Sequence, residues 1–320
     1  MGNDRRRVRL LIVAVFIPLV ILIGVLASAV LGDFRDAPVL DATPAPETVP
    51  APPGPATTPA PAGPPHHPGA QPAPAPPAAT GFVPAGAERI DVGSGARGAA
   101  IFRPPGTAGR PGPVVIFVHG WVAIDPRRYG GWIGHLVRGG ATVIYPAYQT
   151  KPAYDTIAPL ADLLAGVRAA LQQVHVAPGR LVVAGHSVGG ALAADYAATA
   201  AQHGLPSPAA VLAVYPGRKL RHLATPVPSV DLAAIAPRTR LVVLAGERDT
   251  AVGSETAQRI AAEATRADVT VRTVRDDAVD EHSAPRRTNQ AARQTFWRTL
   301  DDLVASTAPA ASPASPRSSS

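Results

Sequence analysis

Three residues of this 320-residue chain have the types and the order needed for nucleophilic attack on a carbonyl. The first is Ser187, in the pentapeptide Gly185-His186-Ser187-Val188-Gly189. A glycine-rich chain can supply such a pentapeptide by chance, so its setting decides. It follows the apolar run Leu181-Val182-Val183-Ala184 and precedes Gly190-Ala191-Leu192-Ala193-Ala194, the strand, turn and helix that a nucleophile elbow requires. A sharp turn there forces the serine into strained backbone angles and brings neighbouring backbone close, which explains glycine at 185 and 189. The helix that follows offers amide N–H groups and a favourable dipole to a developing oxyanion.

Serine is a poor nucleophile at neutral pH unless a base is positioned on it, and that base needs an orienting carboxylate. Two later segments supply the types. Asp249 lies just beyond the apolar run Leu241–Ala245, in the loop Gly246-Glu247-Arg248-Asp249. His282 closes the polar loop Asp276-Asp277-Ala278-Val279-Asp280-Glu281-His282. The chain order is Ser, Asp, His. Glu247 and Asp280 compete for the role of the acid, and Asp249 could be only a helix cap. Ser187 could likewise be an ordinary helix N-cap. Among the other histidines, His119 reads as a structural hydrogen-bonding residue and His186 as packing or pocket lining.

These residues need a scaffold that delivers them to one edge. Val114–Val118, Thr142–Tyr145, Leu181–Ala184, Ala210–Val214 and Leu241–Ala245 read as buried strands, with Val269–Val274 as another. Glu88–Val92 and Gly98–Phe102 read as two leading antiparallel strands. Helical spacing fills the gaps: Leu160, Leu163, Leu164, Val167, Leu171 and Val174 form one apolar stripe. Phe296, Trp297, Leu300 and Leu303 form another within Asn289–Val304. Alternation of strand and helix predicts an α/β fold with a mostly parallel central sheet flanked by helices.

Taken together, His119-Gly120 after one strand, the elbow at Ser187, Asp249 after another strand and His282 before the last helix resemble the α/β-hydrolase superfamily over residues 85–305. The resemblance implies that Ser187 is the nucleophile, His282 the general acid/base and Asp249 the carboxylate that fixes the imidazole. It also implies an oxyanion hole formed by the N–H groups of Trp121 and Val188, and no metal or organic cofactor. Relatives often carry a helical lid where this chain has only Tyr215–Thr239, about 25 residues. The expectation is an open, lidless serine esterase, somewhat like dienelactone-hydrolase or chlorophyllase-type members, acting on a small-molecule or lipid-like ester. Trp121, Tyr148 and His186 are candidate pocket residues. Tyr129 and Trp132 are open to the same reading or to one as core aromatics. A peptidase or an acyltransferase using the same triad, or a non-catalytic scaffold, stays open, because fold and triad do not fix the acceptor.

The remainder of the chain concerns address rather than chemistry. Residues Leu10–Leu31 contain no charged side chain and are long enough for a transmembrane helix. Arg5, Arg6, Arg7 and Arg9 precede them, so residues 1–9 are expected in the cytoplasm and everything downstream outside. Cleavage of a signal peptide near Ala29 is the alternative. Residues 37–80 are rich in Pro and Ala and read as a disordered linker, residues 81–305 as the hydrolase domain, and residues 306–320 as a disordered tail. His66-His67 within the linker reads as spacer rather than a metal site. The net charge of +7 comes with no aromatic-basic stripe, so no nucleic-acid partner is expected, and Cys 0 excludes thiol chemistry. Arg218, Lys219, Arg221 and His222 cluster near the expected mouth of the site, as a solvated loop or as a steering patch for anionic substrates.

Overall fold

Eight stretches rich in β-branched and aliphatic residues pair into a single sheet in a computed structural model of the chain, which describes residues 81–150, 156–220, 223–225 and 227–307. The strands are β1 (Glu88–Val92), β2 (Ala99–Arg103), β3 (Val114–Val118), β4 (Thr142–Pro146), β5 (Leu181–His186), β6 (Ala210–Val214), β9 (Arg240–Gly246) and β10 (Asp268–Val274). A separate two-stranded hairpin joins β7 (Lys219–Leu220) to β8 (Leu223–Ala224). The sheet runs β1-β2-β4-β3-β5-β6-β9-β10. The pairs β1/β2 and β2/β4 are antiparallel and all later pairs are parallel. Every parallel strand therefore ends on the same edge, which is where such folds build their sites.

Both faces of the sheet are covered, as a parallel sheet requires. Along β3, Val114, Ile116 and Val118 point to one core layer, while Val115 and Phe117 point to the other. The first layer receives α2 (Pro159–Ala170), α3 (Val188–Thr199) and α4 (Glu255–Glu263). The second receives α1 (Gly130–Arg138) and a C-terminal helix that runs through α5 (Gln290–Ala292), a π-helical turn (Arg293–Trp297) and α6 (Arg298–Ser306). Helix α3 is buried from Val188 to Ala198, on all sides, and its many Gly and Ala residues let the backbone lie close to β5 and β6.

Two expectations need correction. The sequence of Val269–Val274 predicts a buried strand, but β10 is the sheet edge. Only Val274 is buried, Val271 is 43% exposed, and the polar residues Thr270, Arg272 and Thr273 are exposed as befits a strand with one free side. The helix carrying Leu160 to Val174 ends at Ala170, and Leu171 caps it and is only partly buried. Among the described residues no helix is long and apolar enough to cross a membrane. The apolar run 10–31, the linker 37–80 and nearly all of the tail 306–320 lie outside the described residues.

Phe296 is fully buried and packs edge-on against Tyr215 at 5.6 Å between ring centroids and beside Trp132 at 6.3 Å, so it joins the C-terminal helix to the layer beneath the site. Replacing Phe296 with Ala should lower the unfolding free energy by about 3–5 kcal/mol. Urea titration of the two proteins checks this, and a loss below about 1 kcal/mol would contradict the packing described.

Candidate active site

The site grows from one close backbone contact. A Cβ on Gly189 would sit 2.2 Å from the carbonyl oxygen of Val118 and 2.3 Å from that of His119, so only glycine lets the start of α3 pass beneath the end of β3. A Cβ on Gly185 would meet the carbonyl oxygen of Gly189 at 2.0 Å. The turn between these glycines holds Ser187 at φ 61°, ψ −127°, a strained backbone. Ser187 occupies the N-cap position of α3, yet its side chain makes no capping bond. Its backbone N–H is tied instead to the carbonyl of Val214, at 3.0 Å.

The free hydroxyl meets His282. Ser187 Oγ lies 2.9 Å from His282 Nε2, and His282 Nδ1 lies 2.8 Å from Asp249 Oδ2. A carboxylate can only accept, so Nδ1–H donates to it. In the neutral ring Nε2 is then the acceptor for the serine hydroxyl. The Asp249 carboxylate is wholly buried, and its other oxygen accepts from the N–H groups of Ala251 at 3.0 Å and Val252 at 3.2 Å. Glu247 is turned away to Arg275, and Asp280 to Arg248, so neither competing acid reaches the imidazole. The arrangement can abstract the serine proton, and the imidazolium so formed would face a fixed negative charge.

Two staples set the His282 loop. Arg248, one residue before Asp249, holds Asp280 through both carboxylate oxygens at 2.8 to 3.0 Å, joining the Asp249 loop to the His282 loop. Tyr215 donates to the carbonyl of Val279 at 2.6 Å from the end of β6. Gly246 is required beneath them, since a Cβ there would lie 2.2 Å from the Asp280 carbonyl oxygen.

Trp121 and Val188, the expected oxyanion donors, flank Ser187 from two elements. Val188 opens α3, and the first N–H of a helix has no intrahelical acceptor. Trp121 follows Gly120, whose added Cβ would be 3.3 Å from Ser187 Cβ, so this loop runs directly against Ser187. Its shape is strained too: Val122, a β-branched residue, is held at φ 59° by a hydrogen bond from its N–H to Gln149 Oε1 at 2.9 Å. His119 lies under the loop with its ring nitrogens 2.7 Å from the carbonyls of Gly120 and Ala147. Burial pulls its pKa down to about 4 against the pull of those carbonyls.

The pocket expectations fare unevenly. Trp121 is partly exposed at the site. Tyr148 is not a pocket wall: it is fully buried, stacked on His119 at 4.2 Å, and its hydroxyl donates to the His119 carbonyl. His186 is also buried, with both ring nitrogens engaged, and Tyr129 and Trp132 belong to the core. The steering patch is reduced as well. Arg218 turns inward to Asp195 on α3 and to the carbonyl of Pro228, and Lys219 faces Glu255 at 3.5 Å. Arg221 and His222 lie outside the described residues. The sequence did not reveal the roles of Gln149, Tyr215 and Arg248, whose only signal was a polar side chain near a strand end, or that of Tyr129, which ends a short turn before α1. Among the described residues no group of three or more His, Cys, Asp or Glu is arranged to hold a metal ion.

The order of these residues on a sheet of this topology defines an α/β hydrolase. The family described as alpha/beta hydrolase fold matches residues 115–272, a span that holds Ser187 and Asp249 and stops short of His282. The chain belongs to the α/β-hydrolase superfamily. Solved structures share the fold. One is an esterase of Rhizomucor miehei, at 20% identity and TM-score 0.53, covering 70% of this chain and 86% of its own. Another is esterase B of Lactobacillus Rhamnosis, at 16% and 0.54, covering 71% and 88%. A third is a thermostable esterase of Pseudomonas putida, at 22% and 0.53, covering 71% and 85%. No curated protein matches the sequence.

Burial also sets the response to acid. His119 is lowered from 6.5 to about 4, and His186 is lowered well below 6.5 by burial first, then by His282 and Arg286. A folded state that resists protonating these rings has stability that is present above pH 6.5 and lost as pH falls towards 4. Asp195 works the other way. Burial, which outweighs the pull of Arg218, raises it from 3.8 to about 6, so its contribution is present below 3.8 and lost as pH rises through 6. Two rings against one carboxyl leave net destabilisation below pH 6.5. The expected outcome is a Tm that falls between pH 6.5 and 4, more steeply in Asp195→Asn. Calorimetry across that window checks it, and a shallower fall in the variant would contradict the assignment.

Proposed function

We propose that this chain is a serine hydrolase of carboxylesterase type, tethered to a membrane with its hydrolase domain on the extracytoplasmic side. The observation that carries the activity is the continuous contact from Ser187 Oγ through His282 to the buried Asp249 carboxylate. In this reading Ser187 Oγ attacks the ester carbonyl while His282 Nε2 takes its proton. The carbonyl oxygen gains negative charge facing the N–H groups of Trp121 and Val188. The carbon–oxygen bond to the alcohol breaks as His282 returns the proton to the leaving oxygen, leaving Ser187 acylated. Water, deprotonated by His282, then attacks the acyl carbon, and Ser187 leaves with the proton. The resemblance of the fold to solved esterases supports an ester as the substrate class. The short segment between β6 and β9, which has no helix longer than the three residues Leu232–Ala234 among the described residues, supports a site open to solvent.

The tether rests on the charge-free apolar run 10–31 behind Arg5, Arg6, Arg7 and Arg9. Protease protection of the hydrolase domain in sealed vesicles of known orientation tests it, and digestion from the cytoplasmic face would refute it.

For the chemistry, a fluorophosphonate should label Ser187 in the folded protein, and Ser187→Ala should lower kcat on p-nitrophenyl esters by about 10⁴-fold or more. Activity in that variant close to that of the wild type would end the assignment. Product analysis with added alcohols and amines separates hydrolysis from acyl transfer.

A further inference from the structure

Beneath Ser187 three hydrogen bonds run in one direction through two buried side chains. The N–H of Gly120 meets Tyr129 Oη at 3.0 Å, Tyr129 Oη meets His186 Nδ1 at 2.8 Å, and His186 Nε2 meets the carbonyl oxygen of His282 at 2.9 Å. The ends fix the polarity. An amide N–H can only donate and a carbonyl can only accept, so His186 must carry its proton on Nε2 and the Tyr129 hydroxyl must donate to Nδ1. Burial, reinforced by His282 and Arg286, holds the ring neutral, as this arrangement needs.

The two ends belong to different arms of the site. Gly120 begins the loop that carries Trp121, and His282 carries the base. Neither Tyr129 nor His186 presents surface to a substrate, being 2% and 3% exposed. An apolar pair would fill the same volume without the cost of burying three polar atoms, so those atoms have to be accounted for by what they hold. A Cβ on Gly120 would lie 3.2 Å from Tyr129 Oη, 3.3 Å from His186 Nδ1 and 3.3 Å from Ser187 Cβ, so the loop is seated on the pair and the nucleophile at once. The amide on the other side of Trp121, that of Val122, is fixed separately by Gln149. With both flanking amides tethered, the peptide plane that carries the Trp121 N–H has little freedom.

We propose that Tyr129 and His186 are positioning residues, a hydrogen-bonded bridge that fixes the oxyanion loop at Gly120 relative to the backbone of His282, so that acceptor and base are set by one unit. The proposal rests on the reading of Ser187 as the nucleophile, and its residues touch no reacting atom.

The test uses the full chain and five proteins: wild type, Tyr129→Phe, His186→Leu, His186→Gln and the double variant Tyr129→Phe/His186→Leu. Tyr129→Phe keeps the ring in the core and carries the test alone if His186→Leu fails to fold. Misplacing a reacting group by a fraction of an ångström to 1 Å is costly, so Tyr129→Phe and His186→Leu should each lower kcat by about tenfold to a hundredfold with KM little changed. The double variant should be no worse than the poorer single, because one bridge is lost once. His186→Gln, whose amide can both donate and accept, should recover part of kcat. Losses that multiply in the double variant, or a lowered Tm with kcat unchanged in Tyr129→Phe, would overturn the bridge. Wild type that fluorophosphonate fails to label would overturn the nucleophile reading instead. The bridge then has its own readout: ¹⁵N resonances of the His186 ring at pH 7 should show a protonated Nε2 and a bare Nδ1, with only Nδ1 moving in Tyr129→Phe. A proton on Nδ1 would refute it whatever the activity.

Discussion

The passage of Gly189 beneath the end of β3 is the constraint on which the rest depends. It brings the carbonyls of Val118 and His119 within van der Waals distance of the α3 backbone, and this closeness sets both the height of Ser187 and the place of the loop after His119. Strain follows from it. Ser187, Val122, Tyr148 and Tyr215 all have positive φ, and each falls just beyond the carboxyl end of a parallel strand: β5, β3, β4 and β6 in turn. Backbone in that region costs on the order of 1–3 kcal/mol per residue and persists only where surrounding contacts over-determine it. Here those contacts can be named. The Ser187 N–H is held by Val214, the Val122 N–H by Gln149, and the Tyr148 hydroxyl by His119. At Tyr215 the N–H bonds to Leu244 and the hydroxyl to Val279.

A rigid floor alone does not bring Ser187, His282 and Asp249 into contact, because Asp249 and His282 arrive on loops separated from Ser187 by tens of residues. Loops are the least constrained parts of a fold, and each is stapled where it matters. Arg248 joins the two loops to each other, while Tyr215 joins the second to the sheet. The ion pair is one-sided in burial, with Asp280 1% exposed and Arg248 56% exposed. The carboxylate is thus removed from water and compensated by a bidentate partner that stays hydrated, which avoids most of the penalty of a wholly buried pair. Asp195 and Arg218 lack that relief. Asp195 Oδ2 and Arg218 Nε have no partner among the described residues, in keeping with the upward shift of that carboxyl.

Much of this was legible in the sequence, for reasons that differ by element. Strands β3, β5, β6 and β9 are apolar on both faces, and that composition marks a buried parallel strand whatever its neighbours. Ser187, Asp249 and His282 could be picked out because each follows or precedes a recognisable element in a fixed order. Strand β10 misled because three valines in seven residues read as a buried strand, whereas it pairs only with β9 and leaves its other edge open. Tyr148 misled for a different reason, and Tyr129 was legible only as one of two readings, of which the core one holds. Aromatic residues beside a strand end serve a pocket and a core equally well by type, and only three-dimensional neighbours such as His119 and Phe117 decide. Arg218 looked like a surface charge because its partner, Asp195, lies on a helix that is otherwise apolar and small.

The distribution of buried polar side chains carries the argument one step further. His119, Gln149, His186, Ser187, Asp249 and Asp280 are all 5% exposed or less, and all lie at the carboxyl edge of the sheet. Elsewhere the buried polar residues are Asp195, Thr239, Thr256 and Thr299, dispersed among apolar neighbours. Burying a polar group costs roughly 1–3 kcal/mol unless it is hydrogen-bonded, so a fold that needed only stability would not gather six of them at one edge. Four of the six, His119, Gln149, His186 and Asp249, bond to the backbone of loops that reach the site, while Ser187 and Asp280 bond to the side chains of His282 and Arg248 on those loops. Their net effect on folding is small, because such bonds replace bonds to water. What they alter is the number of positions that the loops around Ser187 can occupy. At this edge the polar core selects geometry, while the apolar layers beneath it supply the free energy that keeps the selection in place.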